Sequence, residues 1–259
     1  MTQVYALANQ KGGVGKTTTA VNLGAYLAEA NQRVLLVDMD PQANATSSLG
    51  LDKYRLETSI YDALIRETPL TKAILRSPDL GLFMAPSTPA LAGAEVELVN
   101  LLAREYRLAE ALRPVIERYD YVLIDCPPSL GLLTINALTA ATDGVIIPIQ
   151  CEYLALEGLT QLQQTIELVR SRLNTQLKVR GILMTMFDGR TNLSQQVVDQ
   201  VRQYFGAQVF ESVIPRSVRL SEAPSYGQPI SIYSPRSTGA IAYQALAVEL
   251  MTGDGPPAG

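Results

Sequence analysis

Short apolar runs alternate along the chain with longer segments whose apolar residues have helical spacing. Apolar residues three or four positions apart predict helices, as at 17–30 and 156–173. Strand-helix-strand repetition indicates an α/β fold: a single domain with a mostly parallel, twisted β-sheet flanked by helices on both faces. The runs rich in valine, isoleucine and leucine predict buried strands at Val4–Ala8, Val34–Val37, Tyr121–Ile124, Val145–Ile149, Val179–Thr185 and Gln208–Ile214.

Residues 46–112 are less regular than the rest. Helix-like patterns at 60–67 and 94–112 lead us to interpret this segment as a helical excursion from the sheet, which either lines a partner surface or covers the sheet. No repeat or linker divides the 259 residues, so we expect one domain over 1–251 and a disordered tail at 252–259. No segment approaches the roughly 18 apolar residues of a membrane span.

The composition excludes several classes of chemistry. Without histidine there is no Ser-His-Asp triad and no imidazole ligand, so proton transfer falls to carboxylates, lysines or water. The net charge of −4 means that any binding to nucleic acid must come from a local basic patch. Cys126 and Cys151 form neither a CxxC pair nor a disulfide framework, which favours a reducing, cytoplasmic compartment.

The strongest motif is KGGVGKTT, which lies between a predicted strand and a predicted helix. Glycines let the backbone fold around an anion, and the helix N-terminus adds its positive dipole. Lys16 supplies a positive charge, and the hydroxyl of Thr17 is suited to Mg²⁺. The strict phosphate-loop pattern has glycine where this chain has Gln10, and Lys11 is an additional lysine. The predicted phosphate-binding residues are Lys11, Gly12, Gly13, Val14, Gly15, Lys16, Thr17 and Thr18.

Two predicted strands end in carboxylates, at the edge where open parallel sheets bind ligands. The first leads into Asp38 and Asp40, and Pro41 predicts a turn at that point. Asp38 either lies near the metal and the loop or caps the segment that follows its strand. The second strand leads into Asp125, in the pattern of a Walker B acid that holds Mg²⁺ through water.

These motifs resemble the deviant Walker A ATPases, and more closely the ParA/Soj partition proteins, which carry KGGVGKTT in the same place. The similarity runs from Val4 to about Leu250. It implies a P-loop fold with ATP and Mg²⁺ as ligands, and a homodimer that closes over the nucleotides. It also implies that Lys11 reaches the second subunit's phosphates, that Lys16 is catalytic, and that Asp40 orients the attacking water.

The segment IPRSVRLSEAPS also matches the partition proteins, in which Pro215 and the residue at 217 border the adenine. Relatives commonly have asparagine there, and Ser217 is shorter, so this contact is either lost or bridged by water.

The same resemblance implies non-specific binding to double-stranded DNA. Arg190 and Arg219 match arginines that Soj-like proteins use for this purpose. Between Lys178 and residue 240, six arginines face four acidic residues, a local excess of two positive charges. The alternative is an ordinary scatter of surface arginines. The motifs contain no evident arginine finger, so we expect slow hydrolysis by the protein alone. The resemblance implies that a ParB/Spo0J-type centromere-binding protein accelerates it, on the nucleoid in the cytoplasm.

Three other classes share this core. A MinD-like membrane-associated positioning ATPase ends in a basic amphipathic helix, but residues 237–259 contain acids and no lysine or arginine, so we expect no membrane binding. We expect Ile241, Leu246 and Leu250 to pack on the sheet instead. A cluster-loading protein would need cysteines that meet across a dimer. A small-molecule kinase or ligase would need an acceptor pocket, and no residue cluster in the sequence indicates one.

Overall fold

Parallel strands form the centre of the molecule. The computed structural model describes residues 1–77, 80–152 and 157–253, and within these ranges eight strands form one sheet in the order β3-β4-β2-β5-β1-β6-β7-β8. All neighbouring strands are parallel except β3 and β4. The strands are β1 (Gln3–Leu7), β2 (Val34–Asp38), β3 (Leu75–Arg76), β4 (Phe83–Ala85), β5 (Tyr121–Asp125), β6 (Gly144–Gln150), β7 (Val179–Phe187) and β8 (Val209–Pro215).

Helices cover both faces of this sheet, as predicted. They are α1 (Lys16–Glu29), α2 (Asn44–Ser48), α3 (Ile60–Ile65), α4 (Leu91–Leu98), α5 (Arg107–Leu112), α6 (Leu132–Ala140), α7 (Glu157–Arg172), α8 (Asn192–Phe205), α9 (Val218–Glu222), α10 (Ile230–Tyr233) and α11 (Thr238–Gly253). Successive residues of a strand point to opposite faces, so Val4 and Ala6 join one core while Tyr5 and Leu7 join the other. Helices α3 to α8 contribute to the first core, and α1, α2 and α9 to α11 contribute to the second.

The interpretation of residues 46–112 as a helical excursion was wrong in one respect. The chain returns to the sheet, where β4 pairs with β2, and β3 pairs with β4 at the edge. Strands of two and three residues are too short to show a periodic pattern, so their sequence gave no signal. The helix expected at 94–112 is two helices, separated by a turn in which Ala103 has a φ of +50°.

The final helix closes the second core. Leu246 and Leu250 are buried as expected, whereas Ile241 is 58% exposed, because it lies on the opposite side of α11. This helix extends to Gly253, two residues past the expected domain boundary, and the rest of the expected tail, 254–259, lies outside the described residues. The first residue of the helix expected at 156–173 also lies outside them. No helix in the described ranges combines the length and apolar character that a membrane span requires.

Candidate nucleotide site at the centre of the sheet

The phosphate loop lies where the strand order reverses. β1 has β5 on one side and β6 on the other, and the loop at 8–15 leaves its carboxyl end and enters α1 at Lys16. Gly13 and Gly15 have φ angles of +74° and +89°, a region that favours glycine. In open parallel sheets, the crevice at this reversal is where ligands bind.

Side chains from neighbouring segments hold the loop in place. Thr185 Oγ1 donates to the carbonyl of Val14 at 2.9 Å, and Gln150 Nε2 donates to the carbonyl of Gly13 at 2.8 Å. Asn9 Oδ1 accepts from the backbone N–H of Lys11 at 3.0 Å. These bonds fix the loop's peptide groups. Our sequence reasoning missed Thr185 and Gln150, although each is a polar residue that ends an apolar run and could have been noticed for that reason.

Lys16 is buried at the beginning of α1. Its ammonium group donates to the carbonyl of Lys11 at 3.2 Å. Burial lowers the pKa of Lys16, while the nearby charges of Asp125 and, more weakly, Asp40 raise it. The fold thus brings three of the predicted site residues together around one desolvated cation, which an incoming phosphate would further stabilise.

Asp125 is fully buried at the end of β5. In the part of the chain that the structure describes, neither of its carboxylate oxygens accepts a hydrogen bond of ordinary geometry. Burial, followed by the charge of Asp38, raises the pKa of Asp125 well above its usual value, and the Thr17 side chain offsets this only in part. A buried carboxylate without partners is costly, and a hard cation beside it would remove that cost. Asp125 and Thr17 therefore fit a Mg²⁺ site.

Asp38 and Asp40 have different surroundings although both end the same strand. Asp38 Oδ2 accepts from Thr46 N at 2.9 Å and Thr46 Oγ1 at 2.7 Å, and its Oδ1 accepts from Asp40 N at 3.1 Å. These bonds favour the capping alternative, in which Asp38 holds α2 against β2. Burial raises the pKa of Asp38 to about 6. Asp40 lies on the turn predicted from Pro41, where its Oδ1 accepts from Gln42 N at 2.9 Å.

A cavity of about 280 Å³ adjoins the loop. Gly15 and Thr18 line it from the loop, and Pro215 and Ser217 line it from the segment after β8. The fold therefore brings the predicted adenine-side residues to the phosphate loop. The other lining residues are Thr185, Met186, Ile214, Arg216, Leu220, Ser221, Pro224 and Tyr243. A larger cavity, about 430 Å³ between α3 and α5, contains none of the predicted site residues.

Lys11 extends from the rim of the loop, and its side chain is 42% exposed. Its ammonium group pairs with Glu152 Oε2 at 3.4 Å, and Glu152 Oε1 pairs with Arg216 at 3.7 Å. Lys11 therefore contacts an acid of its own chain and remains accessible to another anion. No motif in the sequence pointed to Glu152.

The two arginines predicted to bind DNA lie at the same edge of the sheet as the loop. Arg190 follows β7 and Arg219 lies on α9 after β8, and these two strands end in register at Phe187 and Pro215. Their side chains are 86% and 59% exposed. Each is paired with a carboxylate, Arg190 with Asp188 and Arg219 with Glu222. The structure thus places both arginines at the sheet edge that carries the loop, but not as unpaired charges.

Solved structures with this fold hold nucleotides. A structure described as cobyrinic acid a,c-diamide synthase from Mycobacterium smegmatis, with bound ADP and magnesium, is 43% identical, has a TM-score of 0.86, and covers 97% of this chain and 94% of its own. The cell division ATPase MinD of Pyrococcus furiosus is 24% identical, with a TM-score of 0.78 over 97% and 99% of the two chains, and shares the fold.

Sequence comparison identifies the family. A family model described as an AAA domain matches residues 2–179. The chromosome partitioning protein ParA of Myxococcus xanthus is 56% identical over 254 residues, 98% of this chain and 89% of that protein. The sporulation initiation inhibitor protein Soj of Bacillus subtilis is 56% identical over 250 residues, 96% of this chain and 98% of that protein. At this identity and coverage, the chain belongs to the ParA/Soj family of partitioning ATPases.

Proposed function

We propose that this protein is a DNA-partitioning ATPase that dimerises on ATP, binds double-stranded DNA without sequence preference, and is released when ATP is hydrolysed. The observation that carries the proposal is the buried Lys16 beside the glycine-rich loop and, near it, Asp125, whose buried oxygens accept no hydrogen bond of ordinary geometry within the described residues. One group is suited to a phosphate and the other to a cation, so together they fit a nucleotide bound with its metal.

ATP fits the site in three parts. Its phosphates fit the loop between Gly12 and Thr18, and its base fits the cavity lined by Pro215 and Ser217. The hydroxyl of Ser217 donates and accepts one hydrogen bond, so it can replace part of the contact made by asparagine in relatives. The Thr17 hydroxyl and, through water, Asp125 would hold Mg²⁺, which neutralises charge on the phosphates when bound. Neighbouring structures bound to ADP or an ATP analogue with magnesium support this assignment.

Hydrolysis would depend on positioning and charge. The Asp40 carboxylate is held on its turn, where Oδ1 accepts from the backbone N–H of Gln42. A carboxylate oxygen can also accept a hydrogen bond from a water molecule and orient that water for attack. Lys16 would stabilise the negative charge that develops on the phosphoryl group, together with Lys11 of the second subunit. We expect slow turnover by the protein alone and acceleration by a ParB/Spo0J-type partner.

DNA binding would follow from dimerisation. One subunit offers Arg190 and Arg219, which contact phosphates and read no base sequence. A dimer offers two such surfaces, and the simultaneous use of both multiplies weak affinities. ATP would therefore control DNA binding through the dimer.

The test is binding of the purified protein to random-sequence duplex DNA with ATP, ADP or no nucleotide at two salt concentrations. The proposal predicts binding with ATP alone, and weaker binding at the higher salt. Arg219→Glu should abolish this binding and leave the ATP-dependent dimer intact. Binding that is equal in all nucleotide states would contradict the proposal.

Anionic vesicles in the same assay test the MinD-like alternative. The contacts of α11 weigh against it, because Leu246 and Leu250 are buried and Glu249 accepts from the backbone N–H groups of Glu211 and Ser212. We expect no vesicle binding with any nucleotide. ATP hydrolysis without an added metabolite would separate the proposed activity from that of a ligase.

A further inference from the structure

Both arginines of the proposed DNA surface donate to carboxylates of their own chain. Arg190 donates from Nε to Asp188 Oδ1 at 2.9 Å and from a terminal nitrogen to Oδ2 at 2.7 Å. Arg219 donates to Glu222 Oε2 at 2.9 Å, and the Tyr233 hydroxyl donates to the same oxygen at 3.0 Å. A DNA phosphate offers the same kind of paired oxygens, so it must compete with these carboxylates for the arginine N–H groups.

A third arginine at this edge, Arg216, also has carboxylates of its own chain close to it. The backbone N–H of Arg216 donates to the carbonyl of Phe187 at 2.9 Å, which brings Arg216 next to Asp188. Its side chain pairs with Glu152 at 3.7 Å. Arg190, and more weakly Arg216, hold the pKa of Asp188 well below its usual value, so this carboxylate stays charged. Glu152 is shared with Lys11, so four positive charges at this edge are paired with three carboxylates, and most of the positive charge is neutralised locally.

We propose that Asp188 and Glu222 screen the DNA surface, so that one subunit binds DNA weakly and stable binding requires the ATP-bound dimer. The inference rests on the proposed function, because it assumes that Arg190 and Arg219 contact DNA. If each subunit bound strongly, the protein would stay on DNA after the dimer separated. With two weak surfaces, the affinity changes greatly between one subunit and two.

Two isosteric substitutions remove the screening charges and keep one side-chain oxygen as a local hydrogen-bond acceptor. Asp188→Asn keeps an oxygen for the backbone N–H of Arg190, which donates to Asp188 Oδ1 at 3.1 Å. Glu222→Gln keeps an oxygen for Tyr233. Each variant should bind random-sequence duplex DNA about two- to fivefold more tightly in the ATP state, since an exposed ion pair is a weak competitor. The double variant should also bind DNA without nucleotide.

The salt dependence provides a second readout. Affinity falls more steeply with salt as more phosphates are neutralised, so the plot of log affinity against log salt should steepen in both single variants. Asp199→Asn is the matched control for net charge, because Asp199 is exposed on α8 and accepts from Gln195. Glu110→Gln is the matched control for breaking an ion pair, with Arg113 at 2.7 Å. Both controls should bind DNA as the parent does.

Each outcome is decisive. Tighter DNA binding with a steeper salt dependence supports the proposed screening. A misfolded variant would lose DNA affinity, so misfolding does not explain such a gain. Unchanged or weaker binding overturns the screen, and weaker binding would mean that the carboxylates orient the arginines. Arg190→Glu combined with Arg219→Glu tests the underlying assumption. If the double arginine variant loses DNA binding while the two acid variants bind DNA no more tightly than the parent, only the screening proposal is wrong. If the double arginine variant binds DNA like the parent, the proposed DNA surface is wrong as well.

Discussion

At the scale of single residues, Asp125 is a ligand-binding group that we expect to lower the stability of the nucleotide-free protein. Within the described residues its buried carboxylate accepts no hydrogen bond of ordinary geometry, so its replacement by a neutral amide should stabilise the nucleotide-free protein. We expect Asp125→Asn to raise the unfolding free energy of that form by about 1 kcal/mol. The further stabilisation on adding Mg²⁺ and ATP should be much smaller than in the parent. Thermal unfolding with and without Mg²⁺ and ATP measures both effects, and a variant stabilised as much by Mg²⁺ and ATP as the parent would remove Asp125 from the metal site.

Asp40 is a residue at which binding and chemistry should separate. Asp40→Ala removes the carboxylate proposed to orient water but none of the loop, so ATP affinity should stay within about threefold while turnover falls by about 100-fold or more. Nucleotide titration and phosphate release measure these quantities. Asp199→Ala serves as the control, since Asp199 is exposed on α8. If the Asp40 variant turns over at the parent rate, another group must orient the water.

The two cysteines should be unreactive in the folded protein. Burial raises the pKa of Cys151 to about 12, and it raises the pKa of Cys126 further. Reaction requires the thiolate, which is scarce far below the pKa, so iodoacetamide at pH 8 should modify neither residue until denaturant is added. Mass spectrometry counts the labelled sites. Rapid labelling of the native protein would show that the thiols are accessible, as a cluster-loading protein requires.

At the scale of elements, Thr46 joins α2 to β2 and to the segment after β4. Its hydroxyl donates to Asp38 at 2.7 Å and accepts from the backbone N–H of Ser87 at 2.9 Å. Thr46→Val removes one of the hydrogen bonds to Asp38 and the acceptor of the buried Ser87 N–H, and should cost about 1–3 kcal/mol of unfolding free energy. Thr46→Ser keeps the hydroxyl and should cost less. Denaturant unfolding compares the two, and equal losses would assign the effect to packing rather than to hydrogen bonding.

Elements with long apolar runs were predictable from the sequence, and those defined by distant partners were not. β1, β2 and β5 to β7 each bury at least four consecutive residues, so composition alone indicated them. β4 is defined by its pairing with β2, which no local pattern reveals. The same contrast holds in the site. The loop and the Asp40 turn follow from local glycine and proline, whereas Thr185 and Gln150 act through contacts that only the folded sheet creates.

At the scale of the whole molecule, Lys11 is the residue proposed to connect one subunit to the next. In the single chain it pairs with Glu152 at 3.4 Å, and in the proposed dimer it exchanges this acid for the second subunit's phosphates. Lys11→Ala should therefore bind ATP yet remain a monomer in sedimentation. Lys72→Ala is the control, because Lys72 is exposed and distant in sequence from the motifs. A normal ATP-dependent dimer of the Lys11 variant would exclude the proposed role.

The central position of β1 also dictates when the loop can form during synthesis. β1 leaves the ribosome first, but its neighbours in the sheet, β5 and β6, follow more than a hundred residues later. The bond from Gln150 to the loop requires the end of β6, and the bond from Thr185 requires the still later β7. Contacts so distant in sequence form slowly. A nascent chain that ends before β7 would carry KGGVGKTT, Asp40 and Asp125 but not the folded loop, so a partly synthesised protein could not capture ATP.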